Sequence, residues 1–262
     1  MTAFPEAHRP SVASTHRPVV LLHAGSAGNW MWEPQLPAVR DRLALTPHLP
    51  GFGPRVDEEW PGLAAAADDV ARRIRDLGAE GAVDVVGVSL GGVLALHLAA
   101  RHPQLAASVL TSGTAVLPVI GVARTASALQ LLLWNRRALW RAQASSLGLS
   151  PEGVGRFVEH GLSVRRATAR AMLDEIWAGA MPEGLERYRG RMLLVAGEFD
   201  PPVMAQSLDA LLEVAPHAET RTAPGMRHIW NLDHAKRFNA MLRDWLRGGV
   251  DHWLLEPTHV LL

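Results

Sequence analysis

From Val19 onward the chain alternates short, continuous apolar runs with stretches whose apolar residues recur every three or four positions. Val19-Val20-Leu21-Leu22, Ala82 to Val88, Ala107 to Thr111, Met192 to Ala196 and Glu219 to Thr222 read as strands. Arg42 to Thr46 reads as a weaker strand, closed by the turn Pro50-Gly51-Phe52-Gly53-Pro54. Leu63, Ala67, Val70, Ile74 and Leu77 mark one helix, stopped by Gly78. Leu90 to Arg101 is a second, ended by His102-Pro103, and a third lies near Val203 to Leu212. Phe238, Met241, Leu242, Trp245 and Leu246 form the apolar face of the last. Apolar strands alternating with amphipathic helices predict an α/β fold with a mostly parallel sheet covered on both faces. Asp84, in the middle of a strand, fits nothing in this pattern.

Between Ser112 and Gly190 the strand rhythm stops. Leu129, Leu132, Leu133 and Trp140 share one face of an expected helix. Ser150-Pro151 has the form of an N-cap with proline in the first turn, and Ser163 is expected to cap a helix running to Trp177. The expected organisation is a core of residues 1–112 and 191–262, with 113–190 as an all-helical insertion over the sheet's carboxyl edge. The tail from Trp253 is apolar enough to be expected to pack on something.

Composition narrows the possible functions. A chain of 262 residues can bury a large core without metal or disulfide support. Equal numbers of acidic and basic residues, 26 each, argue against a nucleic-acid binder working by bulk charge. The absence of cysteine excludes thiolate chemistry and zinc–cysteine sites. No run approaches the roughly 20 apolar residues of a membrane span, and Met1 to Pro18 has no secretory pattern. The expected location is cytoplasmic. His97 and His102 share a helix without metal-ligand spacing, and no metal or cofactor is expected.

The sharpest motif is Gly87-Val88-Ser89-Leu90-Gly91, at a strand end and a helix start. There a serine stands on a tight turn above the helix's positive end. Serine is a poor nucleophile at its ordinary pKa, so it needs a base, and the base needs an orienting acid. Asp200 in Gly197-Glu198-Phe199-Asp200 and His228 in Gly225-Met226-Arg227-His228 each follow a strand. Open α/β sheets place their sites at such carboxyl ends. Glu198 is the second candidate for the acid.

With these residues in view, the chain resembles a lidded α/β-hydrolase over most of residues 18–247. His23-Ala24-Gly25 with Trp32 nine residues beyond the histidine is similar to the family's oxyanion loop. His48-Leu49-Pro50-Gly51-Phe52-Gly53 resembles its Asp-Leu-Pro-Gly-x-Gly turn, and His228 with Asp233 its final His…Glu segment. Ala24, His48 and His234-Ala235 depart from the pattern; Ser89, Asp200 and His228 do not.

The resemblance implies an α/β-hydrolase fold with an all-helical lid inserted after the sixth strand of the family's scheme. It also implies a catalytic triad of Ser89, Asp200 and His228, and an oxyanion hole from the backbone N–H groups of Gly25 and Leu90. Ser26 is either a loop cap or an added hydroxyl donor. His23 reads as a structural loop residue, and Trp30 and Trp32 as core. The expected substrate pocket takes in Ser26, Trp134, Trp140, Trp177 and Ile229, and suits a small molecule with an apolar acyl or aromatic group.

Ester cleavage through an acyl-enzyme is the leading expectation, with thioesters and lactones as close variants. Carbon–carbon hydrolase and cofactor-free perhydrolase activities remain open, as does a sensor that retains the triad with little turnover. Serine at the nucleophile position argues against epoxide and halide chemistry, which use aspartate there. Ile229 stands where hydroxynitrile lyases carry lysine and carbon–carbon hydrolases often carry tryptophan.

Overall fold

The computed structural model describes residues 4–25, 27–147 and 149–257, with the side chains of residues 122 and 123 excepted. Seven strands form one sheet: β1 (Ala7–His8), β2 (Val19–Leu22), β3 (Ala44–Leu45), β4 (Val83–Val88), β5 (Ala106–Ser112), β6 (Arg191–Gly197) and β7 (Glu219–Ala223). Their order is β1-β3-β2-β4-β5-β6-β7. β1 pairs antiparallel to β3, and every other neighbouring pair is parallel. Every residue of β2 and β4 is buried, as expected of strands covered on both faces.

The helices of the sheet layers are α1 (Leu63–Asp76) and α2 (Leu90–Arg101), which pack on each other, with α2 over β4 and β5. Four more, α3 (Gly121–Leu132), α4 (Arg137–Ser146), α5 (Pro151–Ser163) and α6 (Arg166–Ala178), all fall between β5 and β6. The chain closes with α7 (Pro202–Val214), α8 (Trp230–Asp233) and α9 (Ala235–Leu246). α9 packs on α8 and on a 3₁₀ segment, Asn29–Ala38, that follows β2. Among the described residues no helix is long and apolar enough to cross a membrane.

Asp84, unexplained by the pattern, is a buried anchor. Its carboxylate accepts the Ser108 hydroxyl at 2.7 Å and the Arg17 guanidinium at 3.2 Å, with Arg42 at 3.9 Å. A buried acid is tolerated because its lone pairs are filled and its charge is paired. This network ties the chain before β2 to the centre of the sheet.

In the helical segment, Ser150 caps α5 by accepting the Gly153 amide at 3.3 Å, as its sequence position predicts. Two expectations are corrected. Ser163 does not start a helix: it ends α5, its hydroxyl donating to the His160 carbonyl at 2.7 Å, and α6 begins at Arg166. Leu129, Leu132 and Leu133 do not share a buried face with Trp140. A turn closed by the Arg136 amide on the Leu133 carbonyl separates them, leaving the leucines 55%, 65% and 41% exposed.

Trp140 instead anchors an aromatic cluster. Its indole donates to the Trp134 carbonyl at 2.7 Å, and its ring lies edge-on 4.6 Å from Trp134 and 5.8 Å from Phe157. Of the expected tail packing, Trp253 packs 6.1 Å from Trp230 and Leu255 bridges Thr222, while Val260-Leu261-Leu262 lie outside the described residues.

Candidate active site

Ser89 is the hinge between β4 and α2. Its amide extends the ladder to the Ser112 carbonyl at 2.9 Å, and its own carbonyl accepts the Gly92 and Val93 amides that begin the helix. Serving both elements forces a φ of 56° and ψ of −118°, the one positive φ outside glycine among the described residues. Such strain persists only where the surroundings impose it, and it clusters at functional sites. Glycines flank it for a steric reason: a Cβ at Gly87 would overlap the Gly91 carbonyl, and one at Gly91 would overlap the Leu22 carbonyl. The amide of Leu90, first in α2, has no acceptor within the helix and lies at its positive end.

His228 sits in the loop between β7 and α8. Its Nδ1 lies 2.9 Å from Asp200 Oδ1, while Asp200 Oδ2 accepts the Gly197 amide at 2.8 Å. The Asp200 side chain is 2% exposed and that of His228 22%. An ionised carboxylate can only accept, so Nδ1 carries the proton and Nε2 is left as a base. Glu198, the alternative acid, is engaged elsewhere and accepts the Gly225 amide at 2.6 Å.

Ser89, Leu90, Gly25 and His228 open into one cavity of about 770 Å³. Gly25 abuts both Leu90 and Met172: a Cβ there would meet the Met172 sulfur at 3.2 Å and a Leu90 methyl at 3.4 Å. The far walls come from the helical segment, through Trp134, Phe157, Met172, Leu173 and Ile176 among others. Phe199, Pro201 and Met204 close the side nearest Asp200.

Of the expected pocket residues, Trp134 lines this cavity. Trp140, Trp177 and Ile229 do not. Trp140 lies behind Trp134, Trp177 is covered by Arg124 with its guanidinium 4.1 Å from the ring, and Ile229 points into the core at 1% exposure. Apolar character places each of them in an interior, and the cavity is only one of several. Ser26 lies outside the described residues. Met172, Ile176 and Arg227 are wall residues that hydrophobic pattern and motif do not single out.

Four other histidines have structural places. His23 is fully buried; its Nε2 accepts the Leu49 amide at 3.3 Å and its Nδ1 donates to the Ala24 carbonyl at 2.9 Å. Burial holds its pKa down at about 4. His160 stacks on Phe52 at 6.1 Å, and burial lowers its pKa to about 3. His102 pairs with Asp68 at 2.7 Å, and His97 contacts the Ala180 carbonyl. Trp30 and Trp32 are buried. Among the described residues no group of three or more histidine, aspartate or glutamate side chains is placed to hold a metal.

A mostly parallel sheet whose central strand breaks sharply into a helix at a strained serine defines a class. The chain belongs to the alpha/beta hydrolase family, which it matches over residues 19–241. It is 29% identical over 273 aligned residues to a protein of Neisseria meningitidis serogroup B (strain H44/76) named pimeloyl-(acyl-carrier protein) methyl ester esterase, an alignment covering 92% of this chain and 97% of that one. The fold is shared with a carboxylesterase of Nitrososphaera gargenis at a TM-score of 0.76 and 18% identity, covering 92% of this chain and 93% of that one. It is shared likewise with the enol-lactonase of Burkholderia xenovorans LB400, at 0.75 and 19%, covering 92% and 96%.

Proposed function

We propose that the protein hydrolyses carboxylic esters through an acyl-enzyme on Ser89. The observation that carries this is the strained Ser89, opening into the same cavity as a histidine whose far nitrogen is held by a buried aspartate. The similarity to a protein named as a methyl ester esterase supports an ester as the bond cleaved.

In this reading His228 Nε2 takes the Ser89 proton as Oγ attacks the ester carbon. The carbonyl oxygen becomes an oxyanion held by the amides of Gly25 and Leu90, each donor worth on the order of 3 kcal/mol to the transition state. Collapse expels the alcohol, which takes its proton from His228. A water then gives a proton to His228, attacks the acyl carbon and releases the acid, and Ser89 regains its hydrogen. Asp200 fixes the tautomer and stabilises the imidazolium. Residues 113–190 act as a lid within the same domain, and the apolar walls suit a medium-length acyl or an aromatic group.

The test is labelling with a fluorophosphonate and mapping of the modified peptide, followed by a panel of esters, thioesters and lactones. Labelling at Ser89 with repeated turnover is the expected result. A single stalled turnover favours a sensor, and labelling elsewhere removes the assignment. Asp200→Asn should lower kcat by about 10⁴-fold, as a wrongly held tautomer does elsewhere, and Glu198→Gln should leave it within about twofold.

A further inference from the structure

One residue of the cavity wall does not fit an apolar pocket. Arg227 is the only permanently charged side chain lining the cavity among the described residues, and no acidic side chain lines it. It immediately precedes His228, which lines the same cavity as Ser89. Its Nη1 donates to the Ser146 carbonyl at 2.8 Å, at the last residue of α4. That bond uses one of five N–H donors and braces the guanidinium against a helix's negative end.

Several arginines of this chain find carboxylates, while others, such as Arg136, Arg137 and Arg141 near α4, have no ion pair among the described residues. Arg55 pairs with Asp69, Arg101 with Asp68, Arg156 with Glu33 and Arg221 with Glu219. Arg227, at the cavity, has no ion-pair partner among the described residues and remains exposed. Gln130 and Gln143 share the wall with it, while Phe157, Met172 and Ile176 keep the rest apolar. The cavity is therefore amphiphilic, with one cation and several neutral polar groups among apolar side chains.

We propose that Arg227 binds a carboxylate carried by the substrate, so that the preferred substrates are esters bearing an apolar chain with a free carboxylate, such as half-esters of dicarboxylic acids. A guanidinium held in plane presents paired donors that match a carboxylate fork to fork. A neutral ester of equal length leaves that cation without its partner and gains only the apolar contacts.

The proposal rests on the ester-hydrolase reading, and the experiment separates the two. Straight-chain dicarboxylic acids are compared as monomethyl and dimethyl esters, together with acetate esters of hydroxy acids, which carry the carboxylate on the alcohol side. The protein should favour an anionic ester in KM, and R227Q should raise that KM about tenfold, the worth of one charge-assisted pair at a wet rim, with a much smaller change for the dimethyl ester. R227K should regain part of the loss, and added salt should weaken the anionic ester alone. Whichever anionic ester responds tells which side of the ester bond the carboxylate occupies. Equal losses on anionic and neutral esters, or no preference for either anionic ester, overturn the proposal and leave Arg227 a brace between its loop and α4. Dicarboxylic monoamides and diamides are titrated calorimetrically into both proteins in parallel. Anion-dependent binding that R227Q abolishes upholds the anchor even if no ester turns over, and in that case only the esterase reading falls.

Discussion

The Glu175 carboxylate, on α6, accepts the indole N–H of Trp60 at 2.7 Å and the amide of Leu63, first in α1, at 3.1 Å. α1 begins after Gly62, which has no side chain to cap it, so the cap comes from the helical segment above. The same α6 carries Met172, Leu173 and Ile176 to the cavity. One carboxylate thus caps the start of α1 from the helix that also lines the cavity.

Glu175→Ala should therefore damage both stability and substrate binding. Two donors lose an acceptor, one of them on a largely buried tryptophan, for a loss of about 1–3 kcal/mol. Chemical denaturation measures the first effect. For the second, KM should rise more than kcat falls, since no group at the reacting atoms has moved. An unchanged KM with lowered stability would show that α6 keeps its place without this contact.

Ser89→Gly separates strain from chemistry. A glycine adopts φ 56° without the side-chain clash that serine bears, relieving about 1–3 kcal/mol, less the 0.5–1 kcal/mol that glycine's freer unfolded chain costs. The variant should have a melting temperature at or above that of the parent and no measurable acyl-enzyme. A lower melting temperature would mean that the serine hydroxyl contributes more to stability than its backbone takes away.

The strands at the sheet's centre were legible because both their faces are buried, which writes apolar runs into β2, β4 and β6, interrupted in β4 by Asp84 and preceded in β6 by the exposed Arg191. β1 was not, since two residues hold no period and its pairing with β3 is decided at a distance. The 3₁₀ segment Asn29–Ala38, with Pro34 and Pro37 inside it, follows no helical repeat either. At the candidate site, Ser89 directly follows β4 while Asp200 and His228 stand in the loops after β6 and β7, and each was readable as a candidate because it carries chemistry that few residue types supply. The walls were not. Leu132 and Leu133 have the same apolar character as Ile176, yet they face solvent while Ile176 faces the cavity. Hydrophobic spacing reports a face, and the neighbour that covers it comes from elsewhere in the chain.

Two buried histidines fix the direction of the acid response. His23 and His160 are held neutral, with pKa values of about 4 and about 3 against an ordinary value near 6.5. Above pH 6.5 neither state binds a proton there, and these groups leave stability unchanged. As pH falls below 6.5 the unfolded chain takes protons that the native chain refuses, so stability drops until the native values are reached. The slope is about 1.4 kcal/mol per pH unit for each histidine. His160→Phe keeps a ring against Phe52 and removes a buried, unpartnered Nε2. Unfolding free energies of parent and variant, from urea titrations between about pH 6 and pH 4, should diverge by that slope for one histidine. Parallel curves would show that His160 protonates without opening its site.

The cavity's shape decides how rate should follow chain length. Trp134, Phe157, Met172, Leu173 and Ile176 line the space above Ser89, so each methylene of an acyl chain that enters leaves water for hydrocarbon. That transfer is worth about 0.8 kcal/mol, or about fourfold in kcat/KM, as long as the contact persists in the transition state. In a series of p-nitrophenyl esters, kcat/KM should climb by such steps from acetate upward. The climb should stop when the chain reaches Arg227 and Gln143, because a methylene set against a guanidinium removes water from the cation and returns nothing. Opening the wall with Ile176→Ala should lower the slope for the longer esters and leave acetate nearly untouched. A flat series, or one that favours acetate throughout, would mean that acyl chains do not occupy this cavity.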